Sequence, residues 1–129
     1  MKRFIALFSI LLAAALSSGC ATLADAKAAK GSGISKVYDK PYDVVWNAVL
    51  ETVKSSGLEL VSENKEMGRI LAQNAVSAFS WGENVAIFVE DAGGKIKTRV
   101  EVVNKRAVAT NIFASDWETR ILEALDKRL

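Results

Sequence analysis

Two alternating runs in the second half of the chain limit its architecture most. In residues 83–90, Val85, Ile87 and Val89 fall on one side of an extended chain. In residues 95–104, Ile96, Thr98, Val100 and Val102 do the same, while Lys97, Arg99 and Glu101 point the other way. Asp91-Ala92-Gly93-Gly94 between them is a strong hairpin turn. A hairpin that is apolar on one face and charged on the other belongs in an antiparallel sheet with one face covered.

The flanking segments supply the other strands and the cover. Residues 34–38 alternate and predict a short strand. Pro41 marks a helix start, with Asp43 in the first turn where the helix dipole favours an acid. Val45, Trp46, Val49, Leu50 and Val53 form one wide apolar stripe. Ser55-Ser56-Gly57 ends that helix. Residues 58–63 predict a strand with Leu58, Leu60 and Ser62 on one side and Glu59, Val61 and Glu63 on the other. A turn over 64–68 leads into a strand over 69–75. Near the end, Ser115-Asp116-Trp117-Glu118 reads as a capping box, with Ser115 as cap and Glu118 reaching back. Trp117, Ile121, Ala124, Leu125 and Leu129 then repeat at helical spacing. The order is strand, helix, four strands, helix. It predicts an α+β domain over 34–129, an antiparallel sheet of about five strands with two helices packed on one face. Trp46 and Trp117 are expected in its core.

The first residues stand apart. Lys2 and Arg3 precede an apolar block over 4–16 that only Ser9 interrupts, followed by Ser17, Ser18 and Gly19. This is the layout of a signal peptide, 1–19, and the block is short of the about 20 residues that span a bilayer. Cys20, the only cysteine of the 129 residues, follows at once. Ser18-Gly19-Cys20 resembles the lipobox of bacterial lipoproteins, with Ser17 where Leu is usual and Leu16 one place earlier. The resemblance implies cleavage before Cys20 and acylation of its sulfur and new amino group. Ala24-Asp25-Ala26 offers an alternative, ordinary cleavage site, and an uncleaved leader is another. Each buried methylene contributes about 0.8 kcal/mol, so several chains on one residue hold a small domain durably. Loss of Lys2 and Arg3 takes the basic count from 17 to 15, against 15 acids. The mature chain therefore carries no basic footprint for nucleic acid.

Residues 21–33, ATLADAKAAKGSG, are small and polar and end in Gly31-Ser32-Gly33. They predict a flexible tether, so that 20–33 comprises the lipidated Cys and a linker. A helical turn across 24–30 would be marginal on its own. Ala21 after the Cys, rather than Asp, implies by resemblance to Gram-negative lipoproteins the outer membrane.

A wider resemblance rests on KPYDVVWNAVLETVKSSGLEL, the later GRI and the closing helix. Tyr42-Asp43 before Val45-Trp46, Gly57 and Gly68 are its motifs. The chain resembles a family of small bacterial lipoproteins of unassigned function. It is similar in layout to the helix-grip domains of the C-subunit lipoprotein of the outer-membrane barrel-assembly machine. The resemblance implies a helix-grip-like fold and says little of activity. The loop bearing Phe79 and Trp81 departs from it.

No residue pattern marks a catalytic centre, a cofactor or a metal site. The chain has no His, and its lone Cys is assigned to lipid. Gly93-Gly94 lies in a hairpin rather than between strand and helix, so it is not a phosphate cradle. An enzyme is not expected. Two surfaces are candidates for contact. One is the VSAFSWG connection with Phe79 and Trp81, which could instead fold back over the end of the sheet. The other is the outer sheet face, where Val61, Leu71, Phe88 and Val103 form a patch if the middle strands are neighbours. Self-association or docking of an envelope protein could use it. The expected function is a lipid-anchored, periplasm-facing binding or accessory module, held at the outer membrane by acylated Cys20. The alternative is a carrier or sensor of a small apolar ligand between sheet and helices, which needs a pocket of about 300 Å³ or more.

Overall fold

A computed structural model describes residues 22–75, 82–106 and 116–129. Its elements, in chain order, are α1 (Leu23–Ala28), β1 (Ile34–Tyr38), α2 (Tyr42–Ser55), β2 (Glu59–Asn64), β3 (Arg69–Asn74), β4 (Glu83–Gly93), β5 (Lys97–Arg106) and α3 (Trp117–Arg128). The strands form one antiparallel sheet in the order β1-β5-β4-β3-β2. The β4–β5 hairpin is its centre, with Ile87 opposite Val102 and Val89 opposite Val100. The chain is an α+β domain, as its strand and helix patterns predict.

α2 and α3 cover one face. Pro41 stands at the N-cap of α2, where its missing N–H is no loss. Val45, Trp46, Val49 and Val53 turn inward against Ile70, Ile87 and Val100, and Gly57 ends the helix at φ 87°. From α3, Trp117, Ile121, Leu122 and Leu125 join the same core. Both tryptophans are 3% exposed, so they are packing residues. Edge strand β1 is pinned to α3 at Asp126, which accepts from Lys36 Nζ at 2.7 Å and from the Tyr38 hydroxyl at 3.1 Å. Burial, and the carboxylate beside it, push the Tyr38 hydroxyl well above the usual tyrosine range.

Three local expectations change. The cap of α3 is Asp116, whose carboxylate accepts from the Thr119 amide at 3.1 Å. Glu118 does not close a box; it accepts from the Asn104 amide at 3.3 Å and ties the helix to β5. Ser115 lies outside the described residues. In β2 a bulge between Leu60 and Ser62 shifts the alternation by one, so Ser62 pairs with Leu71 of the outer face. At the central hairpin β4 runs on to Gly93 with a register shift after Asp91. Ile96 therefore falls in the turn and is 65% exposed rather than inward.

Candidate interaction surfaces

The outer face carries an apolar row set by register. Leu71 pairs with Ala86, and Ala86 with Val103, so three neighbouring strands contribute side by side. Phe88 stands one step further along β4 on the same face. A patch of this kind in the middle of a sheet exposes much apolar area and needs a partner.

The partner is the chain's own N-terminal segment. Thr22 caps α1: its hydroxyl accepts from the Asp25 amide, and Asp25 returns a bond by accepting from the Thr22 amide at 2.6 Å. The Thr22 hydroxyl, which also donates to the Asp25 carboxylate at 2.8 Å, and then the Thr22 amide hold the Asp25 carboxyl below its usual range. Ala26 is fully buried on Leu71, Ala86, Phe88 and Val103, with Leu23 and Ala29 packed beside it. A methyl side chain lets the helix lie close to the strands.

The return to β1 is held as firmly. Glu101 is 1% exposed on the outer face. Its Oε1 accepts from the amides of Gly31 at 2.6 Å and Gly33 at 3.0 Å. Such bonds to a charged acceptor are stronger than neutral ones. Arg99 Nη2 stands 3.6 Å from Glu101 Oε2 and offsets its charge. Lys30 pairs with Glu90 and lies 5.6 Å from the centre of the Phe88 ring. The Lys30 hydrogen bond, with Arg99 nearby, holds the Glu90 carboxyl below its usual range. At Gly33 a Cβ would stand 2.1 Å from the Val102 carbonyl oxygen, so no other residue fits without moving backbone.

These contacts correct two expectations. Residues 22–33 are not a flexible tether; they form a capped helix and a clasped turn. Leu71, Phe88 and Val103 are not an open docking surface, being 9%, 5% and 1% exposed. They look free in sequence because a six-residue helix rich in Ala gives little signal of its own. The signal that was there is Thr22-x-x-Asp25, a capping box, followed by Leu23, Ala26 and Ala29 at spacing three. Val61 does not join this patch: it is the unpaired residue of the β2 bulge and is 45% exposed. Cys20, Phe79 and Trp81 lie outside the described residues.

Exposed apolar side chains gather elsewhere. Met67 in the β2–β3 turn is 64% exposed, and Val44 in the first turn of α2 is also open. With Ile96 in the β4–β5 turn they occupy one end of the domain. There the Tyr42 hydroxyl donates to the Lys65 carbonyl at 2.6 Å, and Lys65 pairs with Asp43 at 2.8 Å. Between α2 and α3 is a cleft of about 170 Å³ lined by Thr52, Ser55, Ser56, Trp117, Arg120, Ile121 and Ala124. It is smaller than a pocket for a drug-sized apolar ligand and lies between helices rather than under them. The Arg120 guanidinium stacks on Trp117 at 4.4 Å, and Arg128 donates to the Ser55 hydroxyl at 2.9 Å. Among the described residues no group of three or more His, Cys, Asp or Glu is placed to hold a metal, and no helix is long and apolar enough to cross a membrane.

No protein-family model matches the chain, and a search of curated proteins finds no match.

Proposed function

We propose that the protein is a lipid-anchored, periplasm-facing binding or accessory module of the bacterial cell envelope, acting through protein contacts. The observation that carries this reading is the lone Cys20 directly after the leader. The fold adds support. Ordinary cleavage after Ala26 would cut through α1 and remove the side chain that seals the outer face. Cleavage before Cys20 leaves α1 whole. The acyl anchor confines the domain to a surface and raises its concentration near membrane partners. With the outer patch covered, the end bearing Val44, Met67 and Ile96 is the apolar surface offered to a protein partner, and Phe79 and Trp81 lie outside the described residues. Ala21 after the Cys favours the outer membrane.

Mass spectrometry of the mature chain tests this. An acylated N-terminal Cys20 is expected, and Cys20→Ala should leave a folded domain without the lipid. A mature terminus at Lys27, or an intact leader, would contradict the reading.

A further inference from the structure

The docking of α1 determines which end of the domain meets the bilayer, an inference that rests on the lipid-anchor reading above. The direction of α1 on the sheet comes from its contacts. Its C-terminal side is held at Glu90 and Glu101 through Lys30 and Gly31. Ala26, nearer the start of the helix, is buried on Leu71, Ala86, Phe88 and Val103, a row that begins at the Phe88–Glu101 pair and moves one step along the strands toward Lys105. Along β5 the outer-face positions run from Glu101 through Val103 to Lys105, and Lys105 pairs with Asn84. Six helical residues rise about 9 Å, and two strand residues about 7 Å, so α1 spans little more than one such step. Its start therefore lies toward the row of Gln73, Asn84 and Lys105.

That row is one end of the sheet. Asn74 closes β3 there, opposite Glu83 at the start of β4, and Glu83 in turn pairs with Arg106 at the end of β5. The Gln73 amide donates to the Asn84 side chain at 2.9 Å. Met67, Ile96 and the start of α2 lie at the other end. Along β4 the two ends are about 30 Å apart.

From Leu23 back to Cys20 there are three residue steps, at most about 10 Å of chain. A free tether over 20–33 would reach several times further. The headgroup layer on one side of a bilayer is about 5–8 Å deep. An acylated sulfur so close to a docked helix cannot let this end of the sheet leave the lipid surface. We propose that the end of the domain bearing Thr22, Gln73, Asn74 and Lys105 is a lipid-headgroup contact surface, and that the end bearing Val44, Met67 and Ile96 faces the periplasm. The surface is polar, with Lys105 half-buried among amides, and suits headgroups rather than acyl chains.

The test uses the mature protein, acylated at Cys20, in phosphatidylethanolamine–phosphatidylglycerol vesicles. Variants Lys105→Cys and Met67→Cys each add one thiol, the free one when Cys20 is acylated, and carry a fluorophore on it, and a fraction of the lipid carries a nitroxide on its headgroup. Loss of most fluorescence is expected at position 105, with little change at 67. Equal quenching at both, or the reverse order, would overturn the orientation. Mass spectrometry of the same sample separates the two claims. An acylated Cys20 with equal quenching overturns the orientation alone, whereas an unmodified Cys20 overturns the anchor as well. Adding Ala26→Asp should free α1 and abolish the difference between the two positions. A difference that survives this change would show that α1 does not set the orientation.

Discussion

The two faces of the sheet are sealed by different means. On the inner face lie α2 and α3, of 14 and 12 residues, each with a broad apolar stripe and buried β-branched or aromatic side chains. On the outer face lies α1, of 6 residues, which buries one alanine fully. Isolated helices shorter than about 12–15 residues are marginal in water. α1 therefore exists because the sheet, the Thr22–Asp25 box and the Glu101 clasp hold it. Fewer buried side chains hold the outer layer than the inner one, so the outer layer is expected to open first. If the lipid-anchor reading holds, such opening would turn a short rigid attachment into a long loose one.

Substitutions on neighbouring residues of β4 should expose this asymmetry. Ile87→Ala, on the inner face, should lower stability by about 3–4 kcal/mol, as expected of a fully buried aliphatic in a core that cannot collapse. Chemical denaturation checks it, and a loss under 1 kcal/mol would mean the inner core is loose. Phe88→Ala, next along the strand but on the outer face, should cost less, about 2 kcal/mol, because α1 can be released while the rest stays folded. An equal or larger loss than for Ile87→Ala would show that both faces unfold together.

Gly33→Ala should act on the outer layer alone. The added methyl meets the Val102 carbonyl, and relieving it costs about 1–2 kcal/mol of docking. Limited proteolysis should then cut within residues 22–33 while the sheet stays intact. Resistance to cleavage equal to the parent protein would contradict the close approach.

The smallest effect concerns pH. The folded Glu90 carboxyl lies below its ordinary value of 4.5 because of Lys30 and Arg99. A lowered carboxylate pKa stabilises the docked form at pH above that ordinary value. The contribution is lost as pH falls through the folded value. Protection of residues 22–33 should accordingly weaken below about pH 4.5, ahead of any global unfolding. Glu90→Gln should flatten that dependence, and an unchanged acid profile in the variant would exclude Glu90 as its source.

The inner layer was legible because its signals are long and redundant. The stripe from Val45 to Val53, the Pro41 start and the Gly57 stop agree with one another, and the alternation of Val85, Ile87 and Val89 fixes one strand face. The cap of α3 falls one residue later than the sequence suggests, since Ser115 and Asp116 are both good caps and local sequence does not choose between them. The β2 bulge was invisible because alternation assumes regular pairing, and Ile96 was lost to the same kind of shift.

The outer layer is the reverse of what its sequence suggests. Alternation puts Leu71, Phe88 and Val103 on one face, but their cover lies in a segment whose composition resembles a linker. Gly31-Ser32-Gly33 looks like flexibility. In the fold, the amides of Gly31 and Gly33 are donors to a buried carboxylate, and Gly33 is there for lack of room. Glu101 looked like one more solvated charge on an alternating strand, and nothing local distinguishes it from Lys97 or Arg99. Only the long-range pairing of residue 101 with residues 31 and 33 reveals its role.

Amide hydrogen exchange at Gly31 and Gly33, followed residue by residue by NMR in the intact domain, tests the docked segment most directly. Protection well above that of an unstructured peptide is predicted at both amides, and its loss in Glu101→Ala while the β4 and β5 amides stay protected. Exchange of Gly31 and Gly33 at the free-peptide rate in the parent protein would contradict the clasp, and residues 22–33 would then be a tether after all.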